Sequence, residues 1–271
     1  MLVICNGMIR SGSTLQYNIV KDIFRHENVN FKTLGFFNLE AIENDIDSLT
    51  KYSKSDEIIY LIKSHEFSKL NELPNTFIIY SHRNLMDIAG SLKRKFGRKN
   101  EELLIGLEKG MNEYKKIVTS KTLLVQDYDK LLDSLEVCIK EIYTFLDLDG
   151  DQKIIESIVK NNSAENIIKI QNKNQFLKRI KDSLLEGMLS LNKNIKIVFL
   201  FVLGRNLVNK IKFKLFPHDK DSLLHLNHIS KDLGKNGKWI EILDNEEMLL
   251  IKNNFKNWTE LDNELNIKVN I

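Results

Sequence analysis

Proline is almost missing from this chain, with two residues in 271, and cysteine is as scarce at two. So little proline excludes collagen-like and polyproline architectures and permits long uninterrupted elements. Two cysteines cannot build a disulfide scaffold or a four-cysteine zinc centre. Cys5 sits in an apolar run and Cys138 in an amphipathic helical pattern; both read as buried free thiols of a reducing compartment. An excess of one charge sign is also missing. Lys plus Arg number 40 against 37 for Asp plus Glu, a net charge of +3. That balance argues against nucleic acid as a partner, and any anion site must come from a local cluster. Long apolar runs are absent too. The longest, 195–204, is interrupted by Lys196 and falls short of the ~20 residues of a membrane span. Met1 leads directly into a strand-like segment with no basic leader, so a cytoplasmic location is expected. No repeat or low-complexity linker divides the chain. The expectation is one domain over 1–271, with a helical and basic insertion at about 178–220.

The most informative stretch is Leu2-Val3-Ile4-Cys5-Asn6-Gly7-Met8-Ile9-Arg10-Ser11-Gly12-Ser13-Thr14. A short apolar run reads as a buried strand, and after the Gly- and Ser-containing turn Leu15, Ile19, Val20 and Ile23 recur at helical spacing. Strand, tight loop and helix N-terminus form a layout that binds phosphate, because first-turn amides and the helix dipole both face the anion. Gly7 and Gly12 hold the G-x-x-x-x-G frame of a phosphate loop, but Ser13 stands where a nucleoside-triphosphate loop has Lys, and Arg10 is the loop's cation. The alternative is an ordinary strand-to-helix turn with capping hydroxyls.

Further on, 57–62 reads as a second buried strand, ending in Lys63-Ser64-His65-Glu66. Chemistry in open α/β sheets gathers outside the carboxyl ends of strands. Lys63 and His65, at i and i+2, share one side, although a solvated pair would look the same. Between these strands, 31–61 is less regular apart from a helix over 39–51; Phe36 and Phe37 fit a core role better than an acceptor role. A third strand over 76–80 leads to Arg83 and to Asn84, a helix N-cap, with Ser91 two turns later on the same side as Arg83. Lys93, Arg94 and Lys95 suit a solvated helix end. A helix over 101–118, a strand over 122–126 and an acidic, Tyr-containing turn at 127–129 follow. That turn opens one amphipathic helix running to Leu146. The basic 193–214 segment fits either an insertion packed on its own domain or contact with a membrane surface or partner. A closing helix covers 246–257.

Taken together these stretches resemble the sulfotransferases that use 3′-phosphoadenylyl sulfate (PAPS). Arg10-Ser11-Gly12-Ser13-Thr14 matches their 5′-phosphosulfate loop, a basic residue, Ser-Gly and two hydroxyl residues; Leu15 departs from the aromatic that often follows. Lys63-Ser64-His65 resembles their Lys-Thr-His element, Arg83 and Ser91 their 3′-phosphate pair. Gly234, Gly237 and Trp239 resemble a C-terminal Gly-x-x-Gly-x-Trp loop, although Asp232-Leu233 replaces its Arg-Lys pair. The resemblance implies an α/β, P-loop-type three-layer fold with a central, mainly parallel sheet flanked by helices.

It further implies transfer of a sulfuryl group from PAPS to a hydroxyl or amine acceptor, leaving adenosine 3′,5′-bisphosphate (PAP). His65 would be the base, with Glu66 weaker, and Lys63 and Arg10 would bear on the transferred group. Arg10, Ser11, Gly12, Ser13, Thr14, Arg83, Ser91, Gly234, Lys235 and Gly237 would hold the cofactor. The acceptor would be a small molecule, a carbohydrate or a lipid. No metal is expected, because zinc spacings and the Lys-Ser/Thr of magnesium–nucleotide loops are both missing. The alternatives are a P-loop nucleotide or small-molecule kinase and a non-catalytic anion- or membrane-binding adaptor.

Overall fold

The computed structural model describes residues 1–67, 69–120, 122–163, 165, 166, 169 and 237–256. Five strands, β1 (Leu2–Gly7), β2 (Phe31–Phe37), β3 (Ile59–Ser64), β4 (Thr76–His82) and β5 (Leu123–Asp127), form one sheet in the order β2-β3-β1-β4-β5. Every pairing is parallel. The helices are α1 (Ser13–His26), α2 (Leu39–Ser53), α3 (Leu85–Phe96), α4 (Glu101–Ile117), α5 (Tyr128–Asp133), α6 (Leu135–Phe145), α7 (Gln152–Asn162), α8 (Trp239–Ile242) and α9 (Asn245–Asn254). The expected α/β class, the parallel sheet and the three layers are all present.

Alternation along the strands produces the layers. In β1, Leu2 and Ile4 face one side and Val3 and Cys5 the other, and all four are fully buried. The first side joins Ile62, Ile78 and Tyr80 to the inner faces of α2, α3 and α4. The second joins Leu61 and Ile79 to α1, α6 and α7. Strands covered on both faces need near-continuous apolar sequence, which is why the central strands are legible. Cys5 and Cys138 are free thiols inside the second core, as expected. Burial pushes the Cys138 thiol up to about 12, so neither reactivity nor pairing is favoured there.

Two differences from the sequence pattern have physical causes. The segment 31–61 contains an edge strand, β2, whose register slips between Thr33 and Gly35 and whose side chains are mostly half-exposed; neither strict alternation nor a continuous apolar run marks it. The amphipathic stretch after β5 is two helices, because Asp127 caps α5 through the Asp129 amide and the backbone breaks at Ser134. Asp127 thus has the structural capping role expected of the acidic turn. The strands also run past their expected ends: β3 takes in Lys63 and Ser64, and β4 takes in Ser81 and His82. The 178–220 insertion lies outside the described residues.

The end of β1 is packed to contact against β4. A Cβ placed on Gly7 would lie 2.7 Å from the Ser81 carbonyl oxygen, a backbone atom that cannot move without shifting the sheet. Gly7→Ala should therefore destabilise the protein by ~1–3 kcal/mol, the usual cost of overpacking. The midpoint of urea unfolding checks this, and a midpoint equal to wild type would refute it.

Candidate functional site

At the carboxyl edge of the sheet, the turn from β1 to α1 is built from its own hydroxyls. Ser11 donates both its Oγ (2.8 Å) and its amide (3.1 Å) to the Met8 carbonyl, and Ser81 Oγ donates to the Ser11 carbonyl. Gly12 is the N-cap of α1 at φ 98°, in the left-handed region that favours glycine. A Cβ there would also meet the Tyr128 ring at 2.7 Å. No side chain caps α1, so the capping-hydroxyl alternative does not describe this turn. The Leu15 and Gln16 amides donate to the Gly12 carbonyl at 2.8 and 3.2 Å, and the amides before them are the ones a helix N-terminus offers to an anion. One expectation is corrected: the Ser11 side chain is fully buried and already committed to closing the loop. Its hydroxyl is not available to a phosphate. Ser13 is also buried, while Thr14 is half-exposed.

Arg10 adopts φ 76° and reaches over α3, where its Nε donates to Ser91 Oγ at 2.9 Å. Arg83 leaves the end of β4, donates from Nη1 to the Arg10 carbonyl at 2.9 Å, and lies 4.1 Å over the Tyr128 ring. Arg10, Arg83 and Ser91 are thus brought into one cluster, and Arg10 bridges two groups that the sequence motifs keep apart. Burial lowers both guanidinium groups from their ordinary range; Tyr128 opposes that in both, and Arg94 adds to the lowering in both. Arg94 and Lys95 are exposed, as a solvated helix end should be, but their charges still act on this cluster; burial and the Arg10 charge lower Lys95. Lys93 instead pairs with Glu247 at 2.5 Å and Asp244 at 3.5 Å, tying α3 to α9.

The second group stands at the end of β3. Lys63 Nζ lies 3.0 Å from His65 Nε2, and His65 Nδ1 lies 2.6 Å from the Gly7 carbonyl. A carbonyl only accepts, so Nδ1 carries the proton and Nε2 is the basic nitrogen, taking a hydrogen bond from the Lys63 ammonium. Burial brings the Lys63 amine down to about 8. Phe36, half-exposed, covers both groups: Lys63 Nζ is 4.7 Å from its ring centre and the His65 ring 5.6 Å. The expectation that Phe36 belongs to the core is thus corrected. Phe37 packs against the core, while Phe36 belongs to the site. The sequence carried no clear signal that separates them, because the register of β2 slips between Thr33 and Gly35. Tyr128 was likewise not singled out as a site residue; it is the first residue after β5, in the same carboxyl-edge position as His65 and Arg83.

Of the C-terminal loop, Gly237 is described. Its amide donates to Asp87 Oδ1 at 2.8 Å, and a Cβ on Gly90 would meet Trp239 Cα at 3.1 Å, so this loop docks on α3 beside Arg83 and Ser91. Gly234 and Lys235 lie outside the described residues. Among the described residues no group of three or more His, Cys, Asp or Glu could hold a metal, and no helix is long and apolar enough to cross a membrane.

Solved structures share this architecture. A retinol dehydratase in complex with retinol and PAP matches with a TM-score of 0.50 and 14% identity, over 94% of this chain and 80% of that one. The same enzyme name with androsterone and inactive cofactor PAP gives 0.49 and 14%, over 94% and 81%. A mouse sulfotransferase complexed with PAP gives 0.45 and 17%, over 61% of this chain; the match spans 64% of the mouse protein. No family model and no curated protein matches the sequence. At this identity the first likeness shows the fold.

The Lys63 amine carries a sign-definite test. Its folded-state value of about 8 is below the ordinary 10.5, so a charged, buried amine opposes folding below pH 8. That cost is relieved as pH rises from 8 toward 10.5, where the unfolded chain binds more protons. Lys63→Met should therefore be at least as stable as wild type at pH 7 and lose that advantage by pH 9.5. Paired urea melts at the two pH values measure it, and a difference that does not change with pH would refute the assignment.

Proposed function

We propose that this chain, which has the fold of a retinol dehydratase solved with retinol and PAP, is a PAPS-dependent sulfotransferase that moves a sulfuryl group to a hydroxyl or amine acceptor. The observation that carries the reading is the pair of cation groups on either side of the β1 turn, Arg10–Arg83–Ser91 on one and Lys63–His65 on the other. The residues fit the cofactor on features of this chain: a helix N-terminus that no side chain caps, and two guanidinium groups that burial lowers and an anionic partner would favour.

When bound, PAPS supplies an activated sulfuryl group. The amides of Gly12, Ser13 and Thr14 and the Arg10 guanidinium would hold its 5′ side and Arg83 and Ser91 the 3′-phosphate; Gly237, and Gly234 and Lys235 outside the described residues, are the remaining proposed contacts. The Lys63 ammonium, at about 8 and buried, keeps its charge at neutral pH and faces the position where negative charge develops. His65 receives the acceptor proton at Nε2. For that the Lys63 hydrogen bond to Nε2 must yield, so a turn of Lys63 toward the leaving oxygen would couple charge stabilisation to release of the base. The Gly7 carbonyl keeps Nδ1–H oriented and stabilises the imidazolium. The proposed acceptor is a small molecule, a carbohydrate or a lipid, and the proposed location the cytoplasm.

The test mixes protein, PAPS and trial acceptors. His65→Ala should lose turnover ~10²–10⁴-fold, the range of a general base, while PAP affinity stays within error of wild type. Arg83→Ala should weaken PAP roughly 10–100-fold, a charge-assisted hydrogen bond being worth about 1.5–3 kcal/mol, and should lessen the preference for PAP over adenosine 5′-monophosphate. Magnesium-dependent ATP binding in place of PAP binding would make the chain a kinase. Full turnover in His65→Ala would remove His65 from its role.

A further inference from the structure

The residues that follow β3 carry His65 away from the sheet, and those around it are tied down by hydrogen bonds. Ser64 Oγ donates to the Phe37 carbonyl at 2.8 Å and accepts from the Glu66 amide at 3.0 Å. Asn6 Nδ2 donates to the Glu66 carbonyl at 3.1 Å. The amide of Phe67, a fully buried residue, donates to Glu113 Oε2 at 2.6 Å. Glu113 belongs to α4, so this last anchor comes from outside the sheet.

Two charged side chains of α4 reach this turn, in different surroundings. Lys109 Nζ meets Glu66 at 2.6 Å, but Lys109 is 61% exposed, and an exposed pair of this kind holds little. Glu113 is buried and takes Lys116 Nζ on its other oxygen at 2.9 Å. Burying a carboxylate is costly unless its oxygens are satisfied, and its bond to a backbone amide is short and strong. An apolar side chain at this position would leave the Phe67 amide buried without that acceptor. The Phe67 ring shares a core with α4, yet apolar packing is non-directional; the hydrogen bond is what orients the backbone there. His65 lies between this anchor and Ser64, so the reach of its ring to the Gly7 carbonyl, 2.6 Å, is set from both sides.

We propose that Glu113 is a positioning residue for His65. By holding the Phe67 amide it keeps the imidazole on the Gly7 carbonyl, with Nδ1 protonated and Nε2 the basic nitrogen. The consequence for turnover rests on the sulfuryl-transfer reading; the effect on the imidazole does not. The role needs an acceptor oxygen at that reach and not a charge. Glutamine keeps such an oxygen in place, aspartate draws it back by one methylene, and alanine has none.

Glu113→Ala, Glu113→Gln and Glu113→Asp therefore separate positioning from a general loss of stability. Two readouts are taken on the full chain. The first is the ring ¹⁵N shifts of His65, assigned by the signal lost in His65→Ala and recorded at mildly alkaline pH, above the ordinary imidazole range. The second is kcat and KM with PAPS and an acceptor that wild type turns over. Wild type should show one tautomer, protonated at Nδ1. Glu113→Ala and Glu113→Asp should show a mixture, with kcat ~10–100-fold lower, the cost of a misplaced catalytic group, and PAP affinity as in wild type. Glu113→Gln should restore both the tautomer and kcat. A wild-type tautomer in Glu113→Ala, whatever its melting temperature, would overturn the proposal. So would rescue by aspartate and not by glutamine, which would make the role one of charge. If the alanine variant does not fold, the aspartate and glutamine variants decide alone. A tautomer that follows Glu113 in a chain that turns over nothing with PAPS would overturn the sulfuryl-transfer reading and support the positioning.

Discussion

The hydrogen bond from Arg83 to the Arg10 carbonyl is the constraint on which the site depends. Arg10 is a non-glycine residue at positive φ, a conformation that L-residues rarely hold without outside support. Arg83 supplies that support from the neighbouring strand, and because β4 pairs with β1 over Leu2–Gly7, its position is set by the sheet. The same contact aims the Arg10 side chain at Ser91. Backbone shape and cation placement are one event here. The turn cannot relax without dispersing the charge cluster, and the cluster cannot disperse while the sheet register holds.

Polar burial is distributed unevenly, and the unevenness marks function. The interior faces of the strands carry apolar residues, whereas Asn6, Lys63, Ser64, Ser81, His82, Arg83 and Gln126 are all buried at the carboxyl ends. Several have structural duties: Asn6 binds the Gly7 amide and the Glu66 carbonyl, and Gln126 reaches the Cys138 carbonyl on α6. The buried Lys63 and Arg83 and the half-buried Arg10 instead gather positive charge at one end of the molecule, where Asp87 and Asp129 act on Arg83 and an anion would be favoured.

How much of this was legible in the sequence depended on whether one strand or two faces had to be read. β1, β3 and β4 were plain because strands buried on both sides need unbroken apolar runs, and the turn was plain because Gly7 and Gly12 answer to steric demands that no other residue meets. Arg83 and Ser91 were legible as a spaced pair on a strand end and a helix. Phe36 was not, since its neighbour Phe37 is core and only the edge position of β2, blurred by the slip at Gly35, separates them. The Ser11 hydroxyl looked like a ligand for the same reason it closes the loop: short, polar and adjacent to a sharp turn.

Lys63 and His65 give the site its sense of order. With the ammonium hydrogen-bonded to Nε2, the base is masked, and the amine sits near the point where it could lose its proton at mildly alkaline pH. In the proposed reaction an anion in the turn would stabilise the charged amine and draw it away from the imidazole, raising the amine's proton affinity by the same interaction free energy that tightens the anion. The imidazole would then be free to take a proton from an incoming hydroxyl. Donor binding would thus precede base release, and the acceptor's proton would have nowhere to go in its absence. The Gly7 carbonyl that fixes the imidazole belongs to the same glycine that seals β1 against β4, so the orientation of the base, like the shape of the phosphate turn, follows from how closely those two strands can approach.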